Sequence, residues 1–432
     1  MRTFRQVRAR NCMEDEIVTG AVKEKELSRY HVKLLAVMFS VWLLTSMNNQ
    51  LFPLAKPSIL TEWHLTYSDL GYISSIGTVG SVVGLLTFGT LADYLGRKKL
   101  LMISVLGLGT AFLCSISQNW LQLGIALAAG FFVHSGIHPL LFSLASEEMP
   151  PQRRGLGVSV IASGYGIGGG LLASLLTMLL SPISWRLVFL VMVIPSVIVA
   201  LAVNRLLPES RVWVAVQDRK ERRRQTTLVS RIKAFKPLRV FSGRYRRRFI
   251  VTIIVRVMAN ILWAGVAQWF VIFLVAERKM PTEFGAMWFA LFGIFGFIGN
   301  WINGICADKL GRRLTLLLFF MSTALSILAL AQFAKDETGY VLMAAPIGIA
   351  LLGLYPTTFT VTSELLPSEA RAGGTALGQV LLTPMSLVLP TLVGVGATYS
   401  SFSLCFSVIS VFIIVSSIAL FLVMPESRGR VF

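Results

Sequence analysis

The chain has 432 residues, of which 55% are hydrophobic and only 14% charged, with mean hydropathy +0.71. Soluble chains carry about 25% charge, so folding this one into water would leave large apolar surfaces uncovered, which excludes an ordinary soluble enzyme. Lys and Arg number 40 against 21 Asp and Glu, a net +19, yet they sit in short segments between apolar runs, the pattern of membrane topology rather than of nucleic-acid binding.

In chain order, residues 1–32 form a polar, basic tail with no apolar stretch that would mark a cleavable leader. Twelve apolar runs follow, at 33–53, 69–90, 99–117, 121–146, 157–180, 185–206, 249–276, 283–306, 313–334, 340–363, 373–398 and 402–423. Each is near the ~20 residues that cross a ~30 Å hydrocarbon layer as a helix. The pattern predicts an all-α membrane protein whose N-terminal bundle (33–206) and C-terminal bundle (249–423) have six helices each. Between them, 207–248 is a basic linker drawn to anionic lipid, and 424–432 is a short tail. With the N-terminus inside, 34 of the 40 basic residues fall on the inner side and five outside: Lys56, Arg186, Arg278, Lys279 and Lys335. That asymmetry predicts cytoplasmic termini in a cell membrane. Cys12, Cys114, Cys306 and Cys405 are too widely spaced for a disulfide framework or a zinc site.

The halves repeat. Gly89-Thr-Leu-Ala-Asp93-Tyr-Leu-Gly96-Arg97-Lys98 recurs 215 positions on as Gly304-Ile-Cys-Ala-Asp308-Lys-Leu-Gly311-Arg312-Arg313. Glu147-x-x-Pro150-x-x-x-Arg154 recurs as Glu364-x-x-Pro367-x-x-x-Arg371, and Pro208-Glu209-Ser210 as Pro425-Glu426-Ser427, both offset by 217. An even number of helices per half makes the repeats parallel, related by a pseudo-twofold axis along the membrane normal. At these residues the chain resembles the major facilitator superfamily, and within it the sugar-porter and organic-acid:proton symporter branches. Ala372, where the pattern has Gly, is a small departure. The resemblance implies a secondary transporter working by alternating access. It also implies a charge network (Asp93, Arg97, Glu147, Arg154, Asp308, Arg312, Glu364 and Arg371) that latches the halves in the outward-open state and releases when the protein opens inward. The same residues also read as helix caps and topology markers, and single exposed ion pairs are worth only ~0–1 kcal/mol.

Arg256 lies seven positions after Phe249 in the seventh helix, roughly 10 Å along its axis. An unpartnered arginine at such depth costs about 2.5–3.5 kcal/mol, and the sequence places no Asp or Glu deep in any helix. Asn260, Trp263, Ala267 and Gln268 extend it into a polar-aromatic face. Such a cation suits a substrate carboxylate; the competing reading is that it snorkels to the cytoplasmic headgroups. His134 and His138 share a helix face and are candidate proton carriers, or neutral packed residues. Further polar groups in apolar helices are Asn49, Tyr165, Asn300, Tyr355 and Gln379, which line a path or bond between helices. Two family features are missing. Helix four has no Arg near Leu127, and helix one carries Asn48-Asn49-Gln50 where proton-coupled porters often have Asp. Gly164, Gly166, Gly168, Gly169 and Gly170 in helix five read as close packing, without the proline of the antiporter signature.

The expectation is a monomeric carrier taking up a small organic anion, a carboxylate or acidic sugar, with a proton. Membrane lipid surrounds it, and no nucleic acid, metal or cofactor is involved, since no phosphate-binding loop or metal cluster occurs. Alternatives are a neutral-sugar carrier or uniporter, and more remotely an exporter or a nutrient sensor.

Overall fold

Glu209 and Glu426, the acids of the two Pro-Glu-Ser repeats, do the same job in each half. Glu209 Oε1 accepts the backbone N–H of Arg97 (2.8 Å) and Lys98 (3.0 Å), and Glu426 accepts those of Arg312 (2.9 Å) and Arg313 (3.1 Å). Each thus caps a helix N-terminus whose orphan donors and dipole favour a carboxylate. The turn before each cap is made by Gly96 (φ 92°) or Gly311 (φ 90°), a conformation glycine adopts without a side-chain clash. A Cβ on Gly96 would stand 2.5 Å from Glu209 Oε2, and one on Gly311 2.7 Å from Glu426 Oε2. The repeated sequence is therefore a repeated turn and cap.

A computed structural model describes residues 29–149, 154–209, 243–365 and 368–426. Twelve helical spans occur among them, labelled α1 (Arg29–Glu62), α2 (Tyr67–Leu95), α3 (Arg97–Ser115), α4 (120–148), α5 (154–180), α6 (Trp185–Leu206), α7 (243–277), α8 (Thr282–Leu310), α9 (Arg312–Phe333), α10 (337–365), α11 (Ser368–Tyr399) and α12 (Phe402–Val423). Eleven are long and apolar enough, over the described residues, to cross a membrane; α11 carries a shorter apolar stretch, Pro384–Tyr399. The face carrying residues 29 and 426 is called here the near face, and the opposite one the far face. On the far face five of the six even helices start on side-chain caps, Thr66 with Asp69, Asn119, Ser184, Asp336 and Ser401, while α8 follows Pro281 without one.

Packing follows the repeat. Within the N-terminal bundle α2 packs on α4, α3 on α6 and α1 on α5; in the C-terminal bundle α8 packs on α10, α9 on α12 and α7 on α11. Between bundles α2 meets α11 and α5 meets α8, the pairing that a twofold axis exchanges. The outer surface is apolar, with Ile194, Leu179, Leu392, Val408 and Leu422 exposed, as a lipid-facing surface requires.

Several boundaries differ from the sequence reading, two of them with consequences. Pro53 and Pro57 mark the end of helix one by soluble-protein rules, but α1 continues through both to Glu62. Membrane helices tolerate proline because neighbouring groups re-satisfy the freed carbonyls. Lys56, expected in an outside loop, is therefore inside the helix and fully buried. In the basic segment, α7 begins at Gly243, ahead of Phe249.

Candidate substrate site between the bundles

Helices facing the seam are broken near mid-span. α4 breaks between His134 and Ile137, α5 has a π-helical turn at Gly166–Leu172, α7 breaks around Ala267–Trp269, and α10 breaks at Leu354. Irregular backbone at such depth is tolerated where it lies within protein or lines a cavity, and π-turns collect at functional sites.

Around these breaks six aromatic rings form a closed circuit drawn from both bundles. Trp42 of α1 lies 6.1 Å from Tyr165 of α5, Tyr165 5.6 Å from Trp263 of α7, and Trp263 6.3 Å from Tyr355 of α10. Tyr355 lies 6.5 Å from Phe359, Phe359 6.1 Å from His138 of α4, and His138 5.4 Å from Trp42. Phe142 backs the circuit, 5.1 Å from Trp42 and 5.0 Å from His138. The Arg256 guanidinium stacks over Phe359 at 5.7 Å. Arg256 is only 7% exposed, whereas Phe359 is 44% exposed and His138 is exposed as well. The cation is thus held below an accessible aromatic mouth. It does not reach out to the surface, so the snorkelling reading fails for this state. An arginine buried on an aromatic face gains about 2 kcal/mol from the ring.

Deeper, polar residues pair across helices. His134 Nε2 and Asn49 Oδ1 stand 3.2 Å apart, Gln50 Nε2 donates to the Tyr165 hydroxyl (2.8 Å), and Ser386 Oγ donates to Asn260 Oδ1 (3.0 Å). His134 is buried, and its Nδ1 has no partner among the described residues. The Tyr355 hydroxyl donates to the Ala259 carbonyl at 3.4 Å. Asn48 turns away and donates to the Leu108 carbonyl (3.2 Å).

Of the residues singled out from sequence, Arg256, Trp263, Tyr165, Tyr355 and His138 meet at this circuit. Asn49, His134 and Asn260 lie beside it in helix-to-helix bonds. Gln268 does not join them: Val266 leaves helical geometry (φ −126°, ψ −61°), which rotates the following turn off the Arg256 face. Its backbone carbonyl instead meets Lys56 at the far end of the seam. Trp42, Phe142 and Phe359 carry no polar signature in an apolar run, so sequence reasoning passed over them.

The described part of the charge network works inside one bundle. Arg312 pairs with Glu364 (3.1 Å) and Asp308 (3.1 Å), and Nη1 donates to the Ala307 carbonyl (2.7 Å). The Arg97 backbone is held by Glu209 of its own half. The side chains of Asp93, Glu147, Arg154, Arg371 and Gln379 lie outside the described residues.

The bundles touch most closely toward the far face. Ser68 N–H donates to Thr398 Oγ1 (3.1 Å), and Ser75 Oγ lies 2.5 Å from the Leu387 carbonyl and 2.7 Å from Thr391 Oγ1. Tyr67 packs on Phe402 at 4.9 Å. Gly170 and Gly293 face each other so closely that a Cβ on either would overlap the other's Cα. The far face is closed, and the exposed residues of the circuit open toward the near face.

Two parallel six-helix bundles, joined by a seam closed at one face and holding polar and aromatic groups at mid-depth, define a multi-span carrier of small solutes. The chain belongs to the Major Facilitator Superfamily, whose sequence profile matches residues 37–388. It is a secondary transporter and not an enzyme. It is similar to a "probable 4-methylmuconolactone transporter" of Cupriavidus pinatubonensis, with 24% identity over 90% of each chain. It is also similar to a cis,cis-muconate transport protein of Acinetobacter baylyi, 28% identical over 74% of this chain and 76% of that one. Among solved structures it resembles a bacterial homologue of the lysosomal transporter Spinster in an inward-facing, occupied conformation, with TM-score 0.73, 14% identity, and 94% and 98% of the two chains covered.

Proposed function

We propose that this protein is a proton-coupled uptake carrier for small unsaturated or aromatic carboxylates, set in the cell membrane with both termini cytoplasmic. In that orientation the near face is the cytoplasm and the structure is inward-facing. The observation that carries the reading is the pairing of Arg256 with the six-ring circuit. A planar anion has two needs, a cation for the carboxylate and ring faces or edges for its body, and both are met at one depth. The relatives whose names specify muconate and a muconolactone fit the same chemistry. His138 and His134, beside the circuit and the Asn49 pair, are the residues proposed to carry the proton.

The test is uptake of labelled cis,cis-muconate and benzoate by the full chain in proteoliposomes, with pH gradients of both signs. The expected result is accumulation when the outside is acid, with Arg256→Gln raising KM at least tenfold and Arg256→Lys raising it less. Uptake of a neutral sugar with neither carboxylate moved would overturn the reading in favour of a sugar carrier. Equal accumulation whatever the gradient would remove the proton.

A further inference from the structure

Lys56 sits on α1 in the seam, 0% exposed. Its ammonium donates to the Gln268 carbonyl on α7 (3.2 Å) and lies 3.8 Å from the Trp269 ring centre and 5.4 Å from Phe52. Among the described residues no carboxylate stands within ion-pair distance, so one carbonyl and two aromatic faces hold a cation that has three N–H donors. Burial of an ammonium costs more than a desolvated cation–π contact returns. A methionine would fill the same space without that deficit. The charge therefore does not serve the closed state.

What it serves follows from where its partners are. Gln268 and Trp269 belong to the opposite bundle, so when the far face opens both move away together and the ammonium is left on the wall of the entry path. Trp42, in the same ring circuit as the Phe359 that carries Arg256, lies fourteen residues before Lys56 on α1, and Arg256 lies twelve residues before Gln268 on α7. At 1.5 Å per residue the two cations are roughly 18–21 Å apart along the axis, too far for one small carboxylate to touch both. Arg278, further out, is already committed to the Ala331 carbonyl (2.6 Å) and Ser403 (2.8 Å), and Arg186 to Glu62 (2.6 Å).

We propose that Lys56 is a second carboxylate-binding residue of this transporter, used when the far face is open. The anion exchanges Lys56 for Arg256 as the bundles rock, and the emptied ammonium returns to Gln268 and Trp269 as the far face closes. This inference rests on the carboxylate reading above and adds a second contact to it.

The experiment measures KM for entry from the far face, using labelled cis,cis-muconate and benzoate in right-side-out cells expressing the full chain. Lys56→Met, Lys56→Arg and Trp269→Leu are compared with wild type. Lys56→Met is expected to raise KM tenfold or more and Lys56→Arg less than threefold. Trp269→Leu keeps the ammonium while loosening its seat, and is expected to change the maximal rate but move KM less than threefold. If Lys56→Met leaves KM unchanged, or if Lys56→Met and Trp269→Leu raise it together, Lys56 only fastens the seam and the proposal fails. Wild type that moves neither carboxylate refutes the function proposed above and this inference with it. Wild type that moves them with a Lys56-independent KM refutes this inference alone.

Discussion

Replacing Gly293 with Ala should drive the carrier toward its far-open state. Gly293 of α8 meets Gly170 of α5 backbone to backbone across the seam, and a Cβ there would also stand 2.8 Å from the Gly166 carbonyl. Carbon atoms pack best at about 3.5–4.0 Å, so the helices must separate by about 1 Å to admit the methyl. Overpacking of this kind costs roughly 1–3 kcal/mol, and it falls only on the state in which the two glycines touch. At about 1.4 kcal/mol per tenfold, the equilibrium should move about 5- to 150-fold toward far-open. The assay is the labelling rate of Ser75→Cys by an impermeant maleimide added from the far face, with the four native cysteines replaced. Ser75 is half-buried beneath the α2–α11 contact and becomes reachable when that contact parts. Labelling should rise at least fivefold in Gly293→Ala and stay unchanged in Gly304→Ala, on the same helix, whose Cβ would meet nothing within 4 Å. Unchanged or slower labelling in Gly293→Ala would refute the assignment of this contact to the closed far face.

Three further outcomes are expected. Gly311→Ala and Gly96→Ala should each lower the melting temperature of the purified protein, since both force a side chain to φ near +90° with extended ψ, a strain of about 1–3 kcal/mol, and push on Glu426 or Glu209; unaltered melting in both would mean the turn tolerates a Cβ. Arg312→Gln should destabilise by roughly 1–3 kcal/mol, because it removes the guanidinium paired with the half-buried Glu364 carboxylate, and Arg312→Gln with Glu364→Gln should recover part of that; additive losses in thermal unfolding would deny the pair. His138→Gln should abolish accumulation driven by a pH gradient while sparing counterflow of labelled against unlabelled substrate; retained accumulation would remove His138 as the proton carrier.

The spans, the duplication and the glycine turns were legible because each depends on local chemistry: a run long enough to cross lipid, a repeated motif, a φ that suits glycine. What escaped was set by contacts between distant segments. Lys56 read as a loop residue because the apolar run 33–53 ends before it, and only the neighbours packed on α1 show otherwise. Gln268 read as a companion of Arg256 on the assumption of an unbroken helix, which Val266 violates. Trp42, Phe142 and Phe359 look like any lipid-facing aromatic until the opposing bundle is in place. Of the charge network, the described part, Arg312 with Glu364 and Asp308, lies within one bundle, and the side chains of Asp93, Glu147, Arg154 and Arg371 lie outside the described residues.

That last point bears on how the carrier switches. The far closure includes hydroxyl contacts at Ser68, Ser75, Thr391 and Thr398, glycine backbones in contact, and the Tyr67–Phe402 ring pair. Neutral hydrogen bonds are worth about 0.5–1.5 kcal/mol each after exchange with water, and small residues let backbones approach without interlocking side chains. The closure is therefore worth a few kcal/mol, not tens. A ligand shifts a two-state equilibrium only by its differential affinity for the two states, and a carboxylate exchanging one cation for another can supply a difference of that size. A seam of interdigitated large side chains or ion pairs would hold either state too firmly for so small a substrate to turn over.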